Sequence, residues 1–216
     1  MNPAPPVTIA REPRILDAVF ITFEGLDGSG KTTQANLLSE ALAADGHDVV
    51  ATREPGGTEL GEGIRDLLLA DAKIAPWAEA ALFLAARSQL VDDVIAPGLE
   101  RGADVVCDRY IDSSLAYQGI ARGLGLERVL ELNLHAIRGL LPDRTFLLLI
   151  DPQESARRVG EGGDRIERED EDFRVRVDAA YRELAEFFPQ RITTIDGTRP
   201  PREIAEEIIG GLRQHS

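Results

Sequence analysis

Residues 24–33 read Glu-Gly-Leu-Asp-Gly-Ser-Gly-Lys-Thr-Thr, and the run from Gly25 to Thr32 fits the spacing G-x-x-x-x-G-K-T. Upstream lies an apolar, β-branched run, Ala18-Val-Phe-Ile-Thr-Phe23; downstream, Ala35, Leu37, Leu38, Ala41 and Leu42 recur at helical spacing. Strand, glycine loop and helix in that order is the context a phosphate-binding loop requires. Gly25, Gly28 and Gly30 let backbone N–H groups turn inward around an anion, and the new helix adds the positive end of its dipole. The loop of Gly25, Leu26, Asp27, Gly28, Ser29, Gly30, Lys31, Thr32 and Thr33 is therefore the expected cradle of a nucleoside triphosphate. Lys31 offers a point charge to the β- and γ-phosphates, and the Thr32 hydroxyl is placed to ligate Mg²⁺. A glycine-rich turn with an incidental Lys is the plain alternative; it leaves the match and its context unexplained.

Outward from this loop the chain alternates strands and helices. Strands are expected at 18–23, 47–52, 103–107, 145–150 and 192–195, and helices at 31–44, 59–69, 77–99, 126–140, 173–187 and 202–212. Near-continuous apolar strands separated by helices imply a five-stranded parallel sheet covered on both faces, a three-layer α/β/α architecture. No internal repeat or linker interrupts residues 18–216, so one domain is expected. The first 17 residues carry four Pro and no apolar core of a secretory signal, and are expected to be a flexible leader.

The 216 residues carry a formal charge of −14, and Lys31 and Lys73 are the only lysines. Such acidity argues against nucleic acid or an anionic membrane as the main partner, and no apolar run approaches the ~18 residues of a membrane span. Cys107 is the single cysteine, so no disulfide framework exists. A reducing, cytoplasmic setting is expected, with Cys107 a small buried residue at a strand end.

Parallel strands bring their C-terminal ends to one edge, where ligands bind. Three Arg-bearing loops follow strands there: Arg53-Glu-Pro-Gly-Gly-Thr58, Asp108-Arg109-Tyr110 and the Arg/Gly/acid segment 157–167. Asp108 can hold Mg²⁺ or its waters, and the Arg109 fork suits a second substrate's phosphate. Read blandly, the two are a surface ion pair. The segment 157–167 is too polar to pack a core; it is either an ordinary surface loop or a mobile lid bringing positive charge to a transferring phosphoryl group.

Taken together, these residues resemble the thymidylate kinases of bacteria, within the nucleoside monophosphate kinase group of P-loop proteins. The resemblance spans about 18–213: E-G-x-D-G-x-G-K-T-T at 24–33, R-E-P-G-G-T at 53–58, A-L-F-L-A-A-R-S-Q-L at 81–90, D-R-Y at 108–110, S-S-L-A-Y-Q-G at 113–119 and D-R-I-E at 164–167. It implies phosphoryl transfer from ATP to dTMP with Mg²⁺, giving dTDP for dTTP synthesis, and a homodimer with helix 77–99 as its candidate interface. It also implies that Phe83 and Arg87 hold the thymine ring and that Ser113, Ser114 and Gln118 read the base edge and sugar. Arg109, with Arg53, would bind the monophosphate, and Asp27 the 3′-hydroxyl. At position 114 many relatives carry Thr. Some members place a catalytic Arg where this chain has Gly28; others supply it from the lid, which makes Arg158 and then Arg165, with Arg157 third, the candidates here. Without the resemblance two rivals stand. A deoxynucleoside kinase needs a carboxylate base such as Glu24. A GTPase-like switch needs an N-K-x-D motif, which the chain lacks.

Overall fold

Runs of Val, Ile, Thr, Phe and Leu form five strands: β1 (Phe20–Gly25), β2 (Val49–Arg53), β3 (Asp104–Asp108), β4 (Arg144–Leu149) and β5 (Ile192–Asp196). They come from a computed structural model that describes residues 18–160 and 163–213. The expected leader, 1–17, and part of the expected lid, 161–162, lie outside the described residues. All neighbouring strands pair in parallel in the order β2-β3-β1-β4-β5. The connections leave β1 first to one side and then to the other, so the crevice beyond its C-terminal end is the topological switch point where an open α/β sheet binds ligands.

Alternation along the strands divides the core between the two faces. Ile21 and Phe23 of β1, with Val106, Phe146, Leu148 and Ile195, pack under α1 (Lys31–Ala44) and α9 (Pro201–Arg213). Phe20, Val105, Cys107 and Leu147 face the opposite layer. That layer is built by α3 (Pro76–Leu90), α4 (Ala96–Glu100), α5 (Ile111–Ser114), α6 (Leu126–Ala136) and α8 (Glu171–Phe187), with α2 (Glu59–Leu69) packed on α3 and α7 (Pro152–Val159) beside α8. Phe20, Ile21 and Phe23 are fully buried, each contributing roughly 1.5–3 kcal/mol by transfer from water. Caps fix the helix starts: Thr58 accepts from Gly61 N–H at 3.0 Å, Asp151 from Gln153 N–H at 2.8 Å and Asp170 from Phe173 N–H at 2.7 Å.

The expected helix 77–99 is not one regular helix. A π-helical stretch, Val91–Ile95, joins α3 to α4, and the Ala96 N–H reaches back to Val91 O. Pro97 lacks the N–H that a continuing α-helix would use. Residues 111–121 form α5 and a second π stretch, Leu115–Ala121, buried at Ile111, Leu115, Ala116 and Tyr117. The helix expected to 140 ends at Ala136, because Arg138 and Gly139 adopt positive φ, 52° and 71°. No described helix is long and apolar enough to cross a membrane.

Candidate active site

At the end of β1 the chain turns through Gly25 at φ 135°, and a Cβ there would lie 2.3 Å from Leu148 O. Only glycine lets the loop leave the sheet this way. Gly30, at φ 99°, ends the loop with no side chain capping α1, so the first helical N–H groups stay available to an anion. Lys31 Nζ donates to Leu26 O at 2.8 Å. Burial lowers its ammonium to about 8 and Arg109 adds to the lowering, while Asp27, Asp108 and Glu24 oppose it. The Thr32 hydroxyl donates to Asp108 Oδ2, and Asp108 Oδ1 is buried without a hydrogen-bond partner. One hydroxyl beside one underused carboxylate fits a Mg²⁺ ion that takes its remaining oxygens from phosphate and water. No group of three or more His, Cys, Asp or Glu side chains suited to a metal occurs among the described residues.

Beyond the P-loop cleft lies a second pocket, walled by Leu69, Phe83, Tyr117 and Ile166. The two share Asp27, Glu54, Arg65, Arg109 and Glu167, so one wall of charged side chains separates and joins them. Arg109 dominates that wall. Its backbone lies at φ 68°, a sparsely populated region for a residue with a Cβ, which turns the side chain back toward the P-loop. Nη1 donates at 3.1 Å to Gly25 O, Ser113 Oγ and Tyr181 OH; Nη2 pairs with Asp27 Oδ1. Burial alone would raise the Asp27 carboxyl, but Arg109 and Lys31 outweigh it and hold it at about 2.

Several expected residues sit elsewhere. Phe83, Ser113 and Gln118 line the second pocket, whereas Arg87 does not. Arg87 is 1 % exposed, and all its donors are used: on Glu54, Ser114 Oγ (2.8 Å), Asn133 Oδ1 (2.5 Å) and Tyr110 O (2.9 Å). Neither Arg87 nor Ser114, both expected at the base, is among the residues that line this pocket. Here they form a buried layer behind the pocket, because a desolvated guanidinium must engage every N–H. Burial raises the partner carboxyl, Glu54, to about 7 against the pull of Arg87.

The lid arginines also separate. Arg158 Nη1 reaches Gly28 O at 3.0 Å and Gly197 O at 3.3 Å and lines the P-loop cleft. Arg157 is exposed on Glu154. Arg165, expected second as a catalytic cation, points the other way, to Leu68 O (2.9 Å) and Glu79 Oε2 (2.7 Å). In this structure the guanidinium is held by a buried carboxylate at the start of α3 and does not line the P-loop cleft. Arg53 lines the cleft but pairs with Glu62 at 2.9 and 3.0 Å.

Sequence reasoning did not single out Arg65, Glu54, Tyr117 or Glu167. Arg65 donates to Pro55 O at 2.9 Å and lines both pockets, but on an amphipathic helix it reads as one more solvated charge. Glu24, the base a sugar-hydroxyl kinase would use, is fully buried and lines neither pocket. It accepts from Tyr110 N–H (2.8 Å), Ser113 Oγ (2.6 Å) and Tyr181 OH (2.9 Å).

Residues 23–208 match the model of the family described as thymidylate kinase. Among curated proteins, the chain is 44% identical over 198 residues to the thymidylate kinase of Caldanaerobacter subterraneus subsp. tengcongensis, covering 91% of this chain and 95% of that one. It is 50% identical over 194 residues to that of Leifsonia xyli subsp. xyli, covering 88% and 92%. Among solved structures, a crystal structure of thymidylate kinase from Ehrlichia chaffeensis superposes with a TM-score of 0.75 at 36% identity, over 90% of this chain and 98% of that one.

Proposed function

The chain belongs to the thymidylate kinase family, and from that premise we propose that it transfers the γ-phosphoryl group of ATP to dTMP, giving dTDP and ADP, with Mg²⁺ required. The observation that carries this reading is the pair of adjoining pockets. A triphosphate site and an apolar-walled pocket that share Arg109, Arg65 and Asp27 can hold donor and acceptor phosphates against each other.

The acceptor oxygen belongs to a phosphate that is largely dianionic near neutral pH, so no strong base is needed. Catalysis is then positioning and charge neutralisation. In this reading the P-loop N–H groups and Lys31 hold the donor phosphates. Arg109 and Arg65, assisted by Arg53 once it leaves Glu62, hold the acceptor phosphate. Phe83 and Tyr117 flank the base, and Ser113 and Gln118 offer polar atoms to it and to the sugar. Among the described residues, Asp27 Oδ2 has only a long 3.4 Å contact from Tyr117 OH, which leaves it able to accept the 3′-hydroxyl. Arg158, already over Gly28, is the cation assigned to the transferring group, with 157–167 as the lid that carries it. Thr32 and Asp108 would hold Mg²⁺, which would supply positive charge to offset that of the donor phosphates. For the homodimer the proposed interface is α3 together with α2, where Trp77, Leu60 and Leu67 are exposed; light scattering returning a monomer would overturn it.

The reading is tested by ADP release across dTMP, dUMP, dCMP, dGMP, AMP and thymidine. Preference for dTMP, abolished by chelation of Mg²⁺, is expected. Turnover of thymidine but not dTMP would overturn it.

A further inference from the structure

Glu79, in the first turns of α3, is 1 % exposed and collects four donor contacts from three directions. Gln118 Nε2 reaches Oε1 at 3.0 Å; Arg122 Nε and Nη2 reach Oε1 and Oε2 at 3.2 Å each; Arg165 Nη2 reaches Oε2 at 2.7 Å. Glu79 lines neither the P-loop cleft nor the second pocket, yet two of its partners bear on the latter. Gln118 lines that pocket, and Arg165 sits between Asp164 and Ile166, which line it as well.

A primary amide has two faces that a flip exchanges, one donating and one accepting. An ionised carboxylate only accepts, so Glu79 admits just one orientation of Gln118: NH₂ toward Glu79. No protein donor among the described residues meets Gln118 Oε1, and the side chain borders the pocket, so its carbonyl is the end presented there. A carbonyl acceptor pairs with a base edge bearing N–H, such as the imide of thymine or uracil. It repels the N3 lone pair of cytosine. A mismatched buried polar pair costs far more than a lost apolar contact.

We propose that Glu79 is a positioning residue for acceptor-base selection: it holds the Gln118 amide with its carbonyl toward the base and, through Arg165, seats Asp164 and Ile166 as the pocket's outer wall. The inference rests on the acceptor nucleotide occupying this pocket.

The test measures kcat and KM for dTMP and dCMP at saturating ATP in the wild type, Glu79→Gln, Gln118→Met and the double variant. Glu79→Gln gives Gln118 a partner that serves either flip. The ratio of kcat/KM for dTMP over dCMP is therefore expected to fall at least tenfold, through KM for dTMP, with KM for ATP within about twofold. Gln118→Met is expected to lower the same ratio, and adding Glu79→Gln to it should lower the ratio little further. If Glu79→Gln reduces both substrates equally, or the two losses multiply, Glu79 is merely structural and the inference fails. Should Glu79→Gln not fold, Gln118→Met decides: an unchanged ratio overturns the inference. A wild type that does not prefer dTMP overturns the proposed function itself, a result distinct from any of these.

Discussion

Lys31 carries its positive charge under protest from its surroundings: burial has brought its ammonium down to about 8, near the pH of ordinary assays. A triphosphate placed against it favours the protonated form and raises that value. ATP binding above pH 8 therefore takes up a proton, and affinity falls as pH rises through that range. Calorimetry in two buffers of different ionisation heat, between pH 8 and 9, is expected to show the uptake; its absence would mean Lys31 does not meet the phosphates. Lys31→Ala is expected to lower kcat by orders of magnitude while thermal unfolding stays within a few degrees, since the charge acts on substrate and not on the core. Arg109→Ala separates the two pockets. KM for dTMP should rise on the order of 10²-fold, since a buried phosphate loses a charged fork, with KM for ATP little changed. An equal rise for ATP would place Arg109 on the donor side.

At the scale of the element, α7 sets which of its arginines faces the P-loop. Adjacent residues on a helix point about 100° apart, and so Arg158 lies over Gly28 while Arg157 faces solvent. Arg158→Ala is expected to lower kcat on the order of 10³-fold with little effect on KM for dTMP, and Arg157→Ala less than about twofold. A loss below tenfold for Arg158, about 1.4 kcal/mol, would remove it from the transition state. The elements themselves were unevenly legible. Lys31–Ala44 and Glu59–Leu69 were bounded to the residue, because a glycine cradle and a Thr58 cap mark their starts chemically. β1 runs two residues past its apolar run to Gly25, since Glu24, polar in sequence, finds donors inside the core. The π stretches were not legible: they answer to packing and to Pro97, and apolar spacing over 77–99 reads as one helix either way. In the site, the P-loop and Arg109 stood out by motif and by position after a strand. The partners that turn Arg87 and Arg165 away, Glu54 and Glu79, are distant in sequence and left no local signal.

For the molecule as a whole, the shared wall joins the two pockets, the proposed donor and acceptor sites, into a single extended groove. A compound joining thymidine and adenosine through their 5′-phosphates should bind on the order of 10²-fold more tightly than either nucleotide alone, because one association ordered by the first half serves both. Affinity no better than the stronger half, by titration, would show that the sites cannot be spanned together. In the core beneath that groove, Cys107 precedes Asp108 and Arg109 on β3, with Thr22 and Thr52 beside it on the flanking strands. Its side chain is 0 % exposed, burial pushes the thiol well above its ordinary value, and its S–H donates to Arg109 O at 3.0 Å. No alkylating reagent can reach it until the middle of the sheet comes apart. The chain thus carries its own stopwatch for that event. Mass spectrometry following a single alkylation would time the opening without any engineered label, and occupancy of either half of the groove would be read as seconds added to the count.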